Sequence, residues 1–436
     1  MDPENNKRPN GWALMPLCLF FILYLLTFIF TKDLSNIPVI IAFLLSTIVA
    51  TLFSKGTVNH RVGIFCRGAG NETILLMVVI FILAGAFAGS AKAVGAVDAT
   101  VNIALSLLPQ NMIPASVFIA ACFISMAMGT SCGTIAALTP IAVGLSSQIG
   151  MSLPAMVGIV VGGSMFGDNL SFISDTTIVA TRTQGVKMSD KFKANIRLVL
   201  PVAIITTLIY VYQGLGLTGQ IQTEAISWIK VIPYLVVLIT ALAGVNVIVV
   251  LLVGILLTGI VGFSESGFTV WSWVKTINGG IVNDMGELII VSLIAGGMFE
   301  VIKQNGGIDW LVMKLTEGIK SKRRAEGSIA ALISLTNLCT ANNTIALIIV
   351  GPIARQIGDT FKISGKRMAS MLDTLSCFVQ GLLPYGAQLL IASGLAGSVR
   401  PVEIVPHLYY PFLMGIVVFG TILFQRSGGV SKQGRC

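Results

Sequence analysis

Charged side chains are scarce in this chain: Asp, Glu, Lys and Arg make up 11% of its 436 residues, whereas hydrophobic residues make up 55%. A typical soluble domain is about 25% charged, so this balance excludes an ordinary soluble protein. Apolar blocks of about 20 residues, the length of a bilayer-spanning helix, recur from end to end. The composition therefore predicts an all-α polytopic membrane protein.

Histidine is rarer still, with two residues, and the seven cysteines include no Cys-x-x-Cys pair. This pattern argues against a zinc site or a disulfide framework, and we expect no cofactor. The formal charge of +9 would suggest nucleic acid as the partner of a soluble protein. Here the basic residues lie in short loops, where they indicate membrane topology, and we expect the lipid bilayer and no nucleic acid as partner.

The first apolar block, 12–30, follows two basic residues and has to be distinguished from a signal peptide. Its apolar run is too long for the core of a signal peptide, and no small-x-small cleavage site follows it. We therefore predict that this block is a retained helix.

Several short matches recur at an offset of 210 or 211 residues. Ala84–Phe87 resembles the segment 295–298, Ile-Ala-Ala at 119 recurs at 329, and Thr-Ile-Ala at 134 recurs at 344. Three matches in the same order predict two repeats, 12–213 and 228–425, joined by an extracytoplasmic junction at 214–227.

Basic residues cluster in a few segments, and the positive-inside rule places all of these in the cytoplasm. They are 7–8, 55–67, 182–197 (which includes Lys191), 314–324, 355–367 and 426–435. The N-terminal segment 1–11 and the tail 426–436 are thus predicted to be cytoplasmic.

The blocks 116–146 and 328–354 would break this arrangement if each crossed the membrane once. Each is therefore predicted to be a re-entrant hairpin that returns to the side it entered from. Arms of about 13 residues reach only about 20 Å, less than a ~30 Å hydrocarbon core. Each half then has five transmembrane helices plus one hairpin, and an odd number of crossings makes the two repeats inverted.

The crossing after each hairpin is interrupted by glycine, proline and polar residues, which predicts broken helices at 154–181 and 368–396 with their breaks at the membrane centre. Interrupted backbone inside a bilayer is tolerated only where protein or a water-filled cavity satisfies it. Two polar hairpin tips and two breaks should therefore form one site. We predict scaffold helices at 12–53 and 228–263, and a transport part at about 72–213 in the first half.

Two carboxylates, Asp168 and Asp175, lie within the apolar broken helix, where each costs ~2.5–3.5 kcal/mol or more, so a function is expected. Sodium prefers oxygen ligands such as hydroxyls, amides, carboxylates and freed carbonyls. The candidate cation and proton ligands in the first break are Asp168, Asn169, Ser171, Asp175 and Thr176; those at the hairpin tips are Ser131, Thr134, Asn337, Thr340, Asn342, Asn343 and Thr344; those in the second broken helix are Asp373, Gln380, Tyr385 and Gln388.

Each candidate also has a purely structural interpretation. Asp168 and Asp175 could only cap a half-helix, and the tip residues could only satisfy hairpin backbone. Asp373 is expected in the first turn of its helix, where it could be a helix-start charge. At an offset of 210, Asp175 falls on Tyr385, and the second broken helix has Tyr385 and Gln388 in place of the charged pair of the first half.

The run Gly-Asp-Asn-Leu-Ser-Phe-Ile-Ser-Asp-Thr-Thr at 167–177 resembles the Gly-Asp-x-x-Ser-Pro-x-Ser-Asp-Thr-Thr signature of NhaC-type sodium/proton antiporters, with Phe172 where that pattern often has proline. The resemblance implies that Asp168, Asn169, Ser171, Asp175 and Thr176 form an ion site. It also implies that the hairpin and broken helix of each half move as a transport domain. Some members of this family transport organic acids or amino acids with a coupling ion.

We therefore expect a secondary active transporter and not an enzyme: a sodium/proton antiporter in which Na+ and H+ compete at Asp168 and Asp175, with elevator-like movement. A multi-pass protein of a bacterial cytoplasmic membrane is expected, as a homodimer. An alternative is a sodium- or proton-coupled transporter of a small organic anion or amino acid, favoured by Asn342, Asn343 and Gln388. An intramembrane aspartyl protease is disfavoured because Met165 replaces the first glycine of its Gly-x-Gly-Asp arrangement.

Overall fold

A computed structural model describes residues 9–31, 39–54, 56–107, 109–171, 174–217, 227–264 and 268–424. The described residues form helices and the turns that join them. Of the predicted terminal and junction segments, residues 1–8, 218–226 and 426–436 lie outside this description, as do Phe172 and Ile173 of the first break.

The first half of the chain forms ten helices within the described residues. They are α1 (Met15–Thr31), α2 (Val39–Phe53), α3 (Val58–Ala69), α4 (Glu72–Ala93), α5 (Ala96–Leu107), α6 (Ile113–Met128), α7 (Ser131–Ile149), α8 (Leu153–Leu170), α9 (Asp175–Gln184) and α10 (Met188–Leu215).

The second half follows the same order and ends with a bent helix. Its described helices are α11 (Trp228–Leu242), α12 (Val247–Phe263), α13 (Val270–Gly279), α14 (Gly286–Gln304), α15 (Gly307–Thr316), α16 (Lys322–Thr340), α17 (Asn343–Thr360), α18 (Gly365–Leu382), α19 (Ala387–Ala396), α20 (Pro401–Ile404) and α21 (Tyr409–Leu423). A π-helical turn at Gly280–Asp284 joins α13 to α14.

Many of these helices are long and apolar enough to cross a bilayer. Within the described residues six helical segments meet that test, and the bent pair 401–407 and 409–423 would make a seventh. The described parts of α1, α2, α11 and α12 are apolar but only 15–17 residues long. The chain is therefore a multi-pass membrane protein, and the secondary structure of its described residues is helical.

Each half contains a helical hairpin whose tip is a tight turn. Gly129 ends α6 in the left-handed conformation (φ +70°), and Ala341 does the same for α16 (φ +51°). The segments 129–131 and 341–343 are called tip 1 and tip 2 below. Ala341 is one of two described non-glycine residues with positive φ, an arrangement that is costly for a side chain with a Cβ atom.

The hairpin arms are longer than the sequence predicted. Instead of about 13 residues, α6 has 16, α7 has 19, α16 has 19 and α17 has 18. The first hairpin extends beyond its predicted bounds at the outer ends: α6 begins at Ile113, with Pro114 in its first turn, and Gly150 in the left-handed conformation ends α7. The predicted arm length was therefore wrong, and arm length does not show that the hairpins are re-entrant.

The crossings after the hairpins are interrupted inside the predicted segments 154–181 and 368–396. The first break, 171–174, separates α8 from α9, and the second, 383–386, separates α18 from α19. These bounds match at an offset of 212. The predicted alignment at 210 was wrong by two residues: Gln380 corresponds to Asp168, and Ala387 corresponds to Asp175.

Two of the predicted cytoplasmic segments, 182–197 and 355–367, meet at one end of the molecule. Lys366 Nζ lies 2.8 Å from Asp190 Oδ1, and Gly185 lies against the Arg355 guanidinium. Arg367 donates to Glu326 and to Thr421 near the end of α21. We call this the basic end, and the hairpin α16–α17 opens toward it.

The other hairpin opens toward the opposite end. Gln110 Nε2 donates to Ile149 O at 3.1 Å and so joins the outer ends of α6 and α7. At the far end of α10 from Asp190, Gly214 packs against the backbone of Asn111, just before α6, and Gln213 donates to Tyr409 OH at 2.9 Å. The two hairpins therefore enter the molecule from opposite ends.

Two short amphipathic helices, α3 and α13, interlock the halves. In α3, Gly68 packs against the backbone of Gly296 and Gly297 in α14; in the second half, Gly280 packs against Gly85 in α4. The sequence analysis placed no helix at 58–69 or 270–279. The helix α3 packs against α14 and α13 packs against α4, so each contacts a helix of the other half and the halves form one body.

The Gly68 contact predicts opposite effects for the same substitution within α3. A Cβ atom at Gly68 would overlap Gly296 O, whereas a Cβ at Gly63 meets nothing within 4 Å. Gly68→Ala should destabilise the fold by about 1–3 kcal/mol, as overpacking does. Gly63→Ala should be neutral or stabilising by up to about 1 kcal/mol, since alanine favours helix. Thermal unfolding in detergent, followed by size-exclusion fluorescence, measures both; equal melting temperatures would contradict the contact.

Candidate functional site

A cavity of about 360 Å³ lies where the two tips and the two breaks meet. Its polar lining includes Thr130 and Ser131 from tip 1, Asn342 and Asn343 from tip 2, Ser174, Asp175 and Thr176 at the first break, and Gln380 and Gln388 around the second. Asp168 and Thr344 also line it, and apolar side chains from α4 and α12 close one side. The structure thus brings together the four segments that the sequence analysis assigned to one site.

Asp168 connects the first broken helix to tip 1. It is buried in the last turn of α8, and its Oδ1 accepts the backbone N–H of Ser131 at 3.0 Å. The first N–H groups of a helix have no partner within the helix, and the helix dipole favours an anion there. Asp168 therefore caps α7, a helix of the neighbouring hairpin, while it also faces the cavity.

Asp175 does not cap a helix, although the sequence allowed that interpretation. It is the first residue of α9, but the N-cap is Ser174, whose hydroxyl accepts the N–H of Thr177 at 3.3 Å. The Asp175 side chain is exposed to the cavity and makes no hydrogen bond with the described residues. Its position at a helix N-terminus stabilises its negative charge.

Two glutamines of the second half link the tips. Gln380 Nε2 donates to Ala341 O in tip 2 at 3.1 Å and to Gln388 Oε1 at 2.8 Å. Gln388 Nε2 then donates to Ser131 Oγ in tip 1 at 3.0 Å. Gln380 stands at the position that Asp168 has in the first half, so an amide binds tip 2 where a carboxylate binds tip 1.

Tip 2 also presents amides to the cavity. Asn342 Oδ1 caps α17 by accepting the N–H of Ile345 at 3.0 Å, and its Nδ2 lies 3.4 Å from Met77 Sδ. Asn343 Oδ1 accepts the N–H of Thr344, which leaves its buried Nδ2 group without a hydrogen-bond acceptor among the described residues. This amide is a donor that a bound molecule or water would satisfy.

Several predicted site residues lie outside the cavity and support the backbone around it. Ser171 Oγ donates to Met126 O at 2.9 Å, and Thr134 Oγ1 donates to Thr130 O at 3.1 Å. Asn337 Nδ2 donates to Ser376 O, and Thr340 Oγ1 donates to Asn342 O. Tyr385 OH donates to Leu338 O.

Tyr385 faces the first two helices of the chain. Its ring lies 5.3 Å from the Phe20 ring and 5.8 Å from the Phe43 ring, centroid to centroid. These are edge-to-face aromatic contacts, which stabilise packing more than they recognise an ion. In this structure Tyr385 is a packing residue between the second break and α1–α2.

Asp373 does not lie in the first turn of a helix, as the sequence analysis expected. It is the ninth residue of α18, fully buried, and its Oδ2 lies 2.8 Å from Lys191 Nζ. Lys191 was predicted to be a loop charge but is itself buried in the first turn of α10. The positive-inside rule assigns every lysine of the segment 182–197 to a cytoplasmic loop. This was wrong for Lys191, because α10 already begins at Met188 and buries the lysine in its first turn.

Asn195 supports the first break from behind, and the sequence did not predict this role. Its Nδ2 donates to Asn169 O and to Asp373 Oδ2, both at 2.8 Å, while Asn169 Nδ2 donates to Tyr410 OH at 2.9 Å. The available signal was the spacing of Lys191 and Asn195, which places both on one helix face. These residues lie behind the break, away from the cavity lining.

The cavity is acidic. Among the described lining residues two are carboxylates, Asp168 and Asp175, and none is lysine, arginine or histidine. The remaining polar groups are hydroxyls, amides and backbone groups at helix ends. This set of oxygen ligands suits a hard monovalent cation or a proton.

Comparison with known proteins agrees with this chemistry. The NhaC Na+/H+ antiporter of Alkalihalophilus pseudofirmus is 24% identical over 98% of both chains. The NhaC Na+/H+ antiporter of Bacillus subtilis is 26% identical over 81% of this chain and 83% of that protein. The malate-2H+/Na+-lactate antiporter of B. subtilis is 22% identical over 79% of each.

These relatives are transporters, which confirms the expectation that the chain is not an enzyme and the resemblance to NhaC-type antiporters. The family model described as the Na+/H+ antiporter family matches residues 10–215 and 218–427. Since those two segments cover almost the whole sequence, this chain belongs to the Na+/H+ antiporter family.

Proposed function

We propose that this protein exchanges Na+ for H+ across the membrane, with both ions binding in the acidic cavity. The observation that carries the proposal is the exposure of Asp175 to a cavity that has two carboxylates and no basic side chain among its described lining residues. Asp168, Thr176 and the backbone of tip 1 lie close enough to the same cavity to complete an oxygen-rich site.

Antiport follows if the two ions exclude each other. A carboxylate that has bound a proton has lost its charge and one of its lone pairs, and it no longer attracts sodium. Asp175 is the better candidate for this exchange, because Asp168 Oδ1 is already engaged by Ser131 N–H. Asp168 would help to coordinate sodium and would keep tip 1 in place.

We further propose elevator-like movement of a transport part against a scaffold. The hairpins and broken helices pack on one another across the halves: α9 contacts α17, and α19 contacts α7. The helices α4 and α14 instead pack with α12 and α2, so we assign both to the scaffold and begin the transport part of the first half after α4. The cavity lies between these two parts, which is where alternating access needs it.

Reciprocal contacts support the proposal that the halves are inverted repeats. The contact of Gly68 in the first half with Gly296 in the second is matched by that of Gly280 in the second half with Gly85 in the first, as in a two-fold related interface. The hairpins that enter from opposite ends fit a two-fold axis in the membrane plane. With the basic end in the cytoplasm, both termini would be cytoplasmic in a bacterial membrane. The homodimer stays a prediction.

The volume of the cavity favours a second candidate function. About 360 Å³ is room for roughly ten water molecules at ~30 Å³ each, more than a sodium ion requires. The unpaired Nδ2 of Asn343 is a donor for a carboxylate or carbonyl group, and one relative exchanges malate and lactate. This second function is the transport of a small organic acid together with sodium.

A thermal-shift screen of hydroxy acids and amino acids, in sodium chloride or choline chloride, tests this second function. Stabilisation by one of these compounds that requires sodium would favour it.

The antiport proposal predicts that Asp175→Asn abolishes exchange and leaves the protein folded. Asparagine keeps the size of the side chain but cannot exchange a proton for sodium, and Ser174 still caps α9. In everted vesicles, sodium should collapse an imposed pH gradient with the wild type and at least 10-fold more slowly with the variant.

The matched control is Asp359→Asn, which removes an exposed carboxylate near the basic end and should respond like the wild type. Full exchange by Asp175→Asn would refute the role of Asp175. No response from the wild type would refute sodium/proton antiport and leave the organic-acid alternative.

The elevator proposal predicts that a covalent link between α4 and tip 2 stops transport. In a variant without native cysteines, Met77→Cys with Asn342→Cys places two thiols where the side chains now touch, at 3.4 Å. Cross-linking should reduce exchange at least 10-fold, and a reductant should restore it. The control pair Ser90→Cys with Thr258→Cys replaces a contact at 2.9 Å within the scaffold, and its cross-link should not change transport. Inhibition by both pairs alike would contradict movement between α4 and tip 2.

A further inference from the structure

A buried lysine lies directly behind the first break. Lys191 is 1% exposed, and its ammonium group contacts three oxygens: Asp373 Oδ2 at 2.8 Å, Asn169 O at 2.8 Å and Thr177 Oγ1 at 2.7 Å. An ammonium group has three N–H donors, so each donor has its own acceptor. None of these four residues is among those that line the cavity.

The residues that bind Lys191 are sequence neighbours of residues that face the cavity. Asp168 precedes Asn169, and Thr176 precedes Thr177; Asp168 and Thr176 both line the cavity. The two segments on either side of the break therefore have a cavity side and a lysine side. The cavity and the surroundings of Lys191 offer a cation the same kinds of group, namely a carboxylate, a hydroxyl and backbone at a helix end.

The oxygens around Lys191 are those that a sodium ion would use. Broken helices bind sodium through carbonyls freed at helix ends together with carboxylates and hydroxyls. Asn169 O lies at the end of α8, where carbonyls lack partners within the helix and the dipole favours a positive charge. Asp373 adds a buried carboxylate, which needs a paired cation.

We propose that the Lys191 ammonium is the permanent occupant of a second cation site, formed by Asp373, Asn169 O and Thr177 Oγ1. Because this cation is covalently attached, it cannot be exchanged, and only the site in the cavity turns over. Asn195, one turn after Lys191, donates to two of the same acceptors and holds them in place. The inference goes beyond sodium/proton exchange, since it fixes which of two anionic sites is available to a free ion.

Removing the lysine side chain should make this site available to sodium. Lys191→Ala removes the ammonium and its stem and leaves room for an ion next to Asp373. At saturating concentration, equilibrium binding of radioactive sodium to the purified protein should show one more ion per chain than in the wild type. The matched control is Lys191→Ala with Asp373→Asn, which has the same space without the carboxylate and should bind no additional sodium.

A merely structural lysine would give a different result. If Lys191 only stabilises the fold, Lys191→Ala lowers the melting temperature equally in sodium chloride and choline chloride. Under the proposal, sodium restores the melting temperature of Lys191→Ala and does not restore that of the double variant. An unchanged sodium count in Lys191→Ala would overturn the proposal, and so would equal loss of folded protein in both salts.

The outcome is independent of the antiport proposal. If the wild type binds no sodium, the proposed exchange at Asp175 fails. A gain of one sodium in Lys191→Ala would still support the second site in that case. If the wild type binds sodium and Lys191→Ala gains none, the second site fails and the exchange proposal stands.

Discussion

The hydrogen bonds between hairpin tips and broken helices hold the centre of this protein together. A helix that ends inside a bilayer leaves N–H and C=O groups without partners, and lipid offers no replacement. Ser131 N–H is satisfied by Asp168, Ala341 O by Gln380, and Asn169 O by Lys191. Each partner comes from a different helix than the group it satisfies. The breaks are therefore stable only as an assembled set, and the cavity exists because that set is complete.

The two halves use the same backbone frame with different chemistry. Asp168 and Gln380 occupy corresponding positions and both bind a tip, yet only the first adds charge. Asp175 and Ala387 also occupy corresponding positions, as the first residues of α9 and α19. The second half therefore has no carboxylate that corresponds to the exposed Asp175. The carboxylate accepts a hydrogen bond from an N–H group of tip 1, whereas the amide donates one to a carbonyl of tip 2 and has no charge to attract a cation. Among the described residues that line the cavity, one half thus supplies the carboxylates, and the other supplies neutral polar groups around them.

The sequence was sufficient where the signal was local, as in the broken helices. Glycine, proline and polar residues inside apolar runs predicted interruptions in 154–181 and 368–396, and the structure has them there. Long-range packing was not predictable from the same signals. The helices α3 and α13 are amphipathic but only 12 and 10 residues long, so neither forms an apolar block of membrane-spanning length, and their packing partners lie in the opposite half. Lys191 resembled its neighbours in a basic loop, and its burial depends on Asp373, far away in the chain.

The interlocked helices α3 and α13 have a consequence for the synthesis of the protein. The surface of α3 around Gly68 finds its final partner, α14, roughly 230 residues later, which takes roughly 10–45 s at ~5–20 residues per second. During that interval the Gly68 face of α3 lacks this packing partner. The first half therefore cannot mature alone, and the ribosome has to deliver nearly the whole of α14 before α3 reaches its place.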